Sequence, residues 1–183
     1  MKTSFINEFL KESRTIGAIA PSSIFLGHKM LKKINFDIDY NIIELGPGKG
    51  AITKVILKKM SINSKLISIE LNQLFVNELR EKINDNRFDL ICGSATDIFN
   101  IKNQFYKSNV DLVISSLPLA MIPIKMKIKI INGIKETLAD NGKFIQYQYS
   151  LNSKDLLDKK FSNVEVSFTP LNLPPAFVYH CQP

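Results

Sequence analysis

Cysteine and long apolar runs are scarce in this 183-residue chain. Its two cysteines, Cys92 and Cys181, have neither the number nor the spacing of a disulfide framework or a zinc site, so we expect a protein of a reducing cytoplasm without a metal centre. No apolar stretch approaches the roughly 18 to 20 residues that cross a bilayer, and charges interrupt residues 1–14, where a signal peptide is apolar. The sequence therefore predicts a soluble or peripheral protein.

Internal repeats, low-complexity tracts and linkers rich in Pro, Gly or Ser are also missing. With 45% apolar residues, residues 1–183 suffice for one domain with a sizeable core, but not for a second catalytic domain. Positive charge is in excess, with a formal net charge of +7. That charge favours an anionic partner, which leaves nucleic acid, an anionic membrane and an acidic substrate open.

Short apolar runs alternate with helical patterns along the chain. The run after Pro123 alternates like a strand and also presents a helical face, but Pro123 suits a first helical position and Asn141-Gly142 is typical of a helix end. We predict helices over 51–59, 72–83 and from 124 towards 141, and strands over 41–45, 65–71, 88–95, 111–117, 143–149, 163–171 and 176–181. The pattern predicts an α/β Rossmann-like sandwich whose seven-stranded sheet is mostly parallel, with an antiparallel C-terminal edge.

A glycine turn follows the first predicted strand, in the run Glu44-Leu45-Gly46-Pro47-Gly48-Lys49-Gly50. Its glycines let the backbone turn tightly and approach a ligand, and the next helix offers free N–H groups. The spacing Gly46-x-Gly48-x-x-Ala51 also meets a relaxed dinucleotide fingerprint. However, the Glu44 carboxylate favours a cationic amino-acid ligand over a pyrophosphate, and the chain leaves no room for a second nucleotide half. These points favour S-adenosylmethionine.

Ligands of such sheets lie outside the carboxyl ends of the strands. Glu70 closes the second predicted strand, where its carboxylate can accept both ribose hydroxyls. Residues 93–97 end the third strand with small and polar groups that suit an adenine. The predicted cofactor-binding residues in these segments are Glu44, Gly46, Pro47, Gly48, Gly50, Glu70, Leu71, Ser94, Ala95, Thr96, Asp97 and Ser115.

The order of these motifs resembles the bacterial phospholipid N-methyltransferases that act on phosphatidylethanolamine. The resemblance rests on Glu-Leu-Gly-Pro-Gly-x-Gly, Ile69-Glu70, Gly-x-Ala and Ser-Ser-Leu-Pro-Leu at 115–119, and residues 17–23 and 172–179 resemble the family's terminal signatures. It implies a class I methyltransferase sandwich that uses S-adenosylmethionine to methylate phosphatidylethanolamine or its mono- and dimethylated forms, towards phosphatidylcholine. It also implies cofactor contacts at Ser22 and Ser23. The family's usual acid after the third-strand glycine is Ser94 here, so Ser94 and Asp97 both stay candidates for the adenine contact.

Adenine N6-methyltransferases acting on ribosomal RNA supply the alternative function. Their fourth-strand motif has the form Asn-Leu-Pro-Tyr or Asn-Leu-Pro-Phe, and its aromatic ring stacks on the target base. The matching residues here are Ser116, Leu117, Pro118 and Leu119. A flipped base would lose a stacking platform worth roughly 1–3 kcal/mol, and the RNA-binding extension of those enzymes is not expected in this chain. We therefore do not expect a nucleic acid partner.

The amine acceptor is expected at the ends of the fourth and fifth predicted strands. Methyl transfer needs nitrogen, methyl carbon and sulfur in line and an amine that has lost its proton, so positioning should dominate. Polar groups at Ser115, Ser116 and Leu117 are predicted to accept amine hydrogen bonds, and Tyr147 and Tyr149 are predicted to border the amine. Tyr149 ranks first, because it matches a tyrosine of the family, and aromatic faces also hold methylated, cationic nitrogen.

The N-terminal segment is expected to dock on a membrane. Residues 2–16 predict an amphipathic helix, since its apolar side chains share one arc. On the strength of the resemblance, we expect residues 1–35 to form a membrane-docking and lid segment and 36–183 the catalytic core, bound peripherally to the inner face of a bacterial cytoplasmic membrane. The expected partners are the phospholipid substrate and an anionic membrane surface, without an obligatory protein partner. The predicted substrate or membrane contacts are Phe5, Phe9, Lys11, Arg14, Lys125, Lys127 and Asn172.

Overall fold

The computed structural model describes residues 24–170, 172 and 174–183. Its strands are β1 Asn41–Leu45, β2 Lys65–Glu70, β3 Phe88–Cys92, β4 Val110–Ser115, β5 Leu138–Gln148, β6 Asn163–Thr169 and β7 Ala176–Gln182. Its α-helices are α1 Ile24–Met30, α2 Ala51–Lys59, α3 Gln73–Lys82, α4 Ile98–Phe105, α5 Ile124–Thr137 and α6 Lys154–Asp158, with short 3-10 turns at Ala95–Asp97 and Leu119–Met121.

The seven strands form one sheet in the order β3-β2-β1-β4-β5-β7-β6. Strands β1 to β5 pair in parallel, whereas β7 runs antiparallel to both β5 and β6. The predicted Rossmann-like sheet with an antiparallel C-terminal edge is therefore confirmed. The chain moves outward from β1 to β3 and then returns to place β4 on the other side of β1, which creates a crevice at the carboxyl ends of β1 and β4.

Helices bury both faces of the sheet, because β1, β2 and β4 are apolar on both sides. On one face, α1 and α2 pack Leu26, Met30 and Ile56 against the strands. On the other face, α4 and α5 pack residues such as Ile98 and Ile131 against Phe144 of β5. The sheet therefore packs between two apolar layers. The helices leave the carboxyl ends of its parallel strands uncovered, so a site can form there.

The ambiguous segment after Pro123 forms the helix that was predicted, but this helix is shorter than expected. It ends at Thr137, and Leu138 already pairs with Val110 of β4. Strand β5 therefore begins five residues before the predicted start, and a register shift opposite Val110 and Leu112 absorbs the irregularity. Gly142 lies inside this strand, where a Cβ would stand 2.9 Å from the Ala139 carbonyl oxygen.

Helices α4 and α6 were not predicted from the sequence. Helix α4 spans 8 residues, little more than two turns, and α6 spans only 5, so both are shorter than the window over which helical periodicity becomes clear. The predicted helix over residues 2–16 lies outside the described residues. Within the described ranges, no helix combines the length and apolar character needed to span a bilayer.

Candidate active site

The glycine turn between β1 and α2 uses left-handed backbone at Gly46, Gly48 and Gly50, with φ of 70°, 55° and 80°. A Cβ at Gly50 would lie 2.5 Å from Leu79 Cδ2, so this glycine lets α3 pack against the turn. A Cβ at Gly48 would meet no described atom within 4 Å, so the space beyond the middle of the turn is open. The turn is therefore packed on one side and accessible to a ligand on the other.

Glu70 connects the end of β2 to this turn. Its buried carboxylate accepts hydrogen bonds from the backbone N–H of Gly48 at 3.0 Å and of Asn72 at 2.8 Å. Burial raises the pKa of Glu70, and the backbone hydrogen bonds from Asn72, Gly48 and Leu71 oppose this rise. A carboxylate has about four lone pairs, so these three donors leave Glu70 capacity for one further hydrogen bond, such as one from a ribose hydroxyl.

Glu44 lies beneath the turn, and its side chain is fully buried. Its Oε2 accepts hydrogen bonds from Thr53 Oγ1 at 2.8 Å and from Ser68 Oγ at 2.6 Å, whereas Oε1 has no hydrogen-bond partner among the described residues. Burial raises the pKa of Glu44 to about 7, against the hydrogen bonds from Ser68 and Thr53. Glu44 thus joins β1 to α2 and β2, rather than standing at the surface as the predicted contact with a cationic ligand required.

The end of β3 holds the two candidates for the adenine contact. Ser94 Oγ accepts a hydrogen bond from the backbone N–H of Thr96 at 3.2 Å, and so caps the 3-10 turn that follows. Asp97 is exposed and lies 3.6 Å from the ammonium of Lys129 on α5. Ala95 packs on the core, and Leu71 after β2 is partly exposed. Both Ser94 and Asp97 already have protein partners, so the geometry does not choose between them.

The loop after β4 lies directly beside the glycine turn. The N–H of Ser116 donates to the Leu45 carbonyl oxygen at 2.9 Å, and a Cβ at Gly46 would lie 3.0 Å from Leu117 Cδ2. Ser115 is buried, and its Oγ accepts from the N–H of Leu117 at 3.2 Å. The sequence prediction that the cofactor turn and the 115–117 segment share one site is consistent with this contact.

The Leu117 carbonyl oxygen does not fit its predicted role as an acceptor for the amine. It already accepts from Gln146 Nε2 at 3.0 Å, Gln148 Nε2 at 2.8 Å and the N–H of Leu119 at 2.8 Å. A carbonyl oxygen has two lone pairs, so three donors leave no capacity for a fourth. Of the predicted segment, half-buried Ser116 is the better candidate for the acceptor.

Gln146 and Gln148 are site-supporting residues that the sequence reasoning missed. Both lie at buried positions near the end of β5, and Gln148 Oε1 also accepts from the N–H of Ala120 at 3.2 Å. The sequence did contain one signal for them, namely two glutamines at alternate positions of a predicted buried strand. A buried polar side chain is costly unless it is hydrogen-bonded, so both amides needed partners. They fasten the loop after β4 to the strand beside it.

The two predicted tyrosines occupy the opposite face of β5, towards α1 and α2. Their rings meet edge to face, with centroids 5.7 Å apart. Tyr147 is only 4% exposed and belongs to the core, so its burial argues against a direct contact with the amine. Tyr149 is half-buried and follows the last residue of the strand, which leaves it the better candidate.

The remaining predicted contacts are spread over the chain. Lys125 is exposed near the start of α5, but Lys127 is only 8% exposed, so its burial argues against the predicted membrane contact. Asn172 is buried, and its Nδ2 donates to the Pro174 carbonyl oxygen at 2.8 Å, which favours a role in shaping the loop before β7. Outside the described residues lie Phe5, Phe9, Lys11, Arg14, Ser22 and Ser23.

Comparisons with known proteins agree with this arrangement. Residues 37–173 match the family described as a methyltransferase domain. The chain belongs to this methyltransferase family. Among curated proteins, the methyltransferase is 31% identical over 180 residues to the ornithine lipid N-methyltransferase of Singulisphaera acidiphila, covering 97% of this chain and 94% of that protein.

Ribosomal RNA small subunit methyltransferase A is a second kind of relative. The protein of Ureaplasma parvum serovar 3 is 31% identical over 143 residues, which cover 73% of this chain and 50% of that protein. The protein of Mycoplasmopsis pulmonis is 37% identical over 78 residues, which cover 43% of this chain and 28% of that protein. The methyltransferase therefore spans half or less of these RNA-modifying relatives.

Solved structures confirm the class I methyltransferase fold. Human methyltransferase-like protein 13 in complex with SAH superposes with a TM-score of 0.65 at 14% identity, over 87% of this chain and 79% of that one. The N-methyltransferase NodS from Bradyrhizobium japonicum gives a TM-score of 0.68 at 11% identity, over 85% and 93% of the two chains. With the family match, these relatives establish an S-adenosylmethionine-dependent N-methyltransferase.

The described site fits this cofactor. The open side of the turn at Gly48 accommodates close approach of a ligand, and the Glu70 carboxylate lies beside this turn at the end of β2. Glu44 supports the turn from beneath through Thr53 and Ser68. The site thus combines room for a ligand at the turn with a carboxylate beside it.

Proposed function

We propose that this enzyme methylates the head-group amine of a membrane lipid. The observation that carries the proposal is the similarity to an ornithine lipid N-methyltransferase along nearly the whole length of both chains. The motif resemblance to phospholipid N-methyltransferases supports phosphatidylethanolamine, or its mono- and dimethylated forms, as the acceptor. Both kinds of lipid present an amine at a bilayer surface.

S-adenosylmethionine supplies a methyl group bound to a positively charged sulfur. In our proposal, Glu70 accepts a ribose hydroxyl, and the turn of Gly46, Pro47, Gly48 and Gly50 supports the amino-acid end. Glu44 holds that turn from below through Thr53 and Ser68. Ser22 and Ser23 complete the cofactor contacts on the strength of the motif resemblance.

Ser116 and Tyr149 would position the lipid amine. Ser116 lies at the carboxyl end of β4, where its N–H binds the last residue of β1, so an amine held there stands next to the cofactor turn. The amine must be neutral to attack, and hydrogen bonds from its N–H groups to Ser116 would orient its lone pair towards the methyl group. The Tyr149 ring can hold the methylated cation by a cation–π contact, which supports successive transfers.

The structure supports lipid over RNA at one specific position. Leu119 occupies the place of the base-stacking aromatic residue in the adenine methyltransferases, and its side chain is fully buried. An aliphatic side chain directed into the core offers no surface for stacking. The similarity to ribosomal RNA methyltransferases is therefore attributed to their shared cofactor-binding half, which the partial coverage of those relatives also favours.

We further propose that the enzyme works at the inner face of the cytoplasmic membrane and docks there through the N-terminal part of residues 1–35. The burial of Leu26, Met30 and Leu31 in the core assigns α1 to the catalytic core, not to the predicted lid segment. The test of the proposed function supplies labelled S-adenosylmethionine with vesicles of phosphatidylethanolamine, vesicles of ornithine lipid, and ribosomal RNA in one mixture. The expected result is label in a lipid fraction. Label in the RNA with unlabelled lipids would overturn the proposal.

A further inference from the structure

Exposed apolar side chains gather at the end of the sheet that holds the candidate active site. Phe25 is 70% exposed and Ile124 58% exposed, which is unusual for side chains of this size. They belong to a set that we call the apolar rim, consisting of Ile24, Phe25, Met121, Ile124, Leu151 and Phe168.

Topology places the whole apolar rim at the carboxyl ends of the parallel strands. Met121 and Ile124 follow β4, and Leu151 follows β5. Phe168 is near the end of β6 and pairs with Phe177, which in turn lies opposite Gln148 at the end of β5. Met121, Ile124, Leu151 and Phe168 therefore lie around the carboxyl ends of β4, β5 and β6 and the start of β7, at the end of the sheet that also holds Ser116.

Helix α1 brings Ile24 and Phe25 to the same end. A Cβ at Gly27 would lie 3.0 Å from Val55 Cγ2 and 3.7 Å from the Ile52 Cα, so the middle of α1 packs on the first half of α2, the helix that follows the glycine turn. After the helix, Lys33 forms an ion pair with Glu165 in the middle of β6. Helix α1 thus runs away from the site, and its first residues are closest to it.

Lysines lie beside the apolar rim. Exposed Lys125 directly follows Ile124, and exposed Lys129 lies about one turn further along α5, where it pairs with Asp97. Residues 70–97, on the other half of the sheet, contain 6 acidic and 3 basic residues. Apolar side chains among lysines match the interface of an anionic bilayer, where apolar groups insert among head groups and lysines attract anionic lipids.

We propose that the apolar rim inserts into an anionic bilayer surface and thereby holds the Ser116 loop against the lipid head groups. This inference rests on the proposed function, because it explains how an amine at a bilayer surface reaches a site at the edge of the sheet. The apolar rim surrounds the mouth of the site on the half of the sheet that the cofactor segments leave open. A bilayer can bind such a surface, because apolar side chains that insert among head groups need no pocket of complementary shape.

The test uses the full chain with vesicles of equal parts phosphatidylethanolamine and phosphatidylglycerol. Phe25→Ser and Ile124→Ser should each weaken vesicle binding at least fivefold in sedimentation assays, without changing the melting temperature or S-adenosylmethionine binding. The matched control is Ile62→Ser, because Ile62 is 75% exposed but precedes β2 at the opposite end of the sheet. The control should bind vesicles like the wild type.

Unchanged vesicle binding by both rim variants would overturn the inference. A lowered melting temperature in both variants would also overturn it, because it would show that these side chains pack against another part of the chain. Failure of the proposed function gives a different result. In that case the wild-type enzyme labels no lipid, although the rim variants still lose vesicle binding.

Discussion

Gln148 donates a hydrogen bond from Nε2 to the Leu117 carbonyl oxygen at 2.8 Å, and this contact fastens the acceptor loop to β5. Replacing Gln148 by Leu removes this donor and the acceptor for the N–H of Ala120. Because a small displacement of a positioned group is costly for the rate, we expect turnover to fall on the order of tenfold or more with cofactor affinity retained. Steady-state kinetics with calorimetric S-adenosylmethionine titration measures both.

The matched control for this variant is Gln182→Leu, since Gln182 is an exposed glutamine at the far end of β7. Its turnover should equal that of the wild type. Equal turnover of Gln148→Leu and the wild type would show that the contact does not position the acceptor loop.

The glycines of the turn should separate cofactor binding from folding. Ala at Gly48 places a methyl group in the open space beyond the turn, so we expect a large loss of S-adenosylmethionine affinity with a destabilisation of about 1 kcal/mol from the left-handed backbone. Ala at Gly50 forces a contact with Leu79, so the melting temperature should fall further. Calorimetry measures the S-adenosylmethionine affinity of both variants, and thermal melting measures their stability. Unimpaired S-adenosylmethionine binding by Gly48→Ala would contradict the prediction.

Glu70 should determine cofactor affinity through its charge. In Glu70→Gln, an amide nitrogen replaces one of the two oxygens that accept from Gly48, Asn72 and, in our proposal, the ribose. Hydrogen bonds to a charged acceptor contribute about 1.5–3 kcal/mol, so affinity for S-adenosylmethionine should fall on the order of tenfold to a hundredfold. Glu78→Gln, at a partly exposed position on α3 paired with Lys82, is the matched control and should bind normally.

Glu44 should make stability depend on pH. Its pKa in the folded protein is about 7, above the ordinary value of 4.5, so folding favours the protonated form. That stabilisation is complete below the ordinary pKa and is lost as the pH rises through the folded pKa. Between about pH 5 and about pH 8, the free energy of unfolding should therefore fall by about 2 kcal/mol more in the wild type than in Glu44→Gln. If urea denaturation gave the same change in the free energy of unfolding with pH for the wild type and Glu44→Gln, the raised pKa of Glu44 would be contradicted.

Most of the fold was predictable, because buried parallel strands leave short apolar runs that end at glycine or polar residues. The runs at 41–45 and 65–70 are clear in this respect, and all seven strands were found. The start of β5 was not predictable, since Leu138 completes a helical face and also pairs with β4. Short α4 and α6 give too little periodicity to stand out from a loop.

The site was only partly predictable, because a sequence shows residue types but not the direction of a side chain. The glycine turn, Glu70 and the Ser116 loop were identified from strand ends, which the sheet brings together. The burial of Glu44 and Tyr147 depends on which face of the strand each occupies and on what covers that face. The hydrogen bonds from Gln146 and Gln148 to Leu117 join residues about 30 positions apart, so no local pattern reports them.

Mass spectrometry of the lipid product shows whether the enzyme methylates a lipid amine. Purified enzyme is incubated with S-adenosylmethionine and vesicles of phosphatidylethanolamine or of ornithine lipid, and the head-group fragments are analysed, with Glu70→Gln as the impaired control. We expect one or both lipids to gain methyl groups on the amine nitrogen, at a much lower rate with the variant. Unmodified amines in both lipids, alongside N6-methylated adenine in ribosomal RNA offered to the same enzyme, would contradict it.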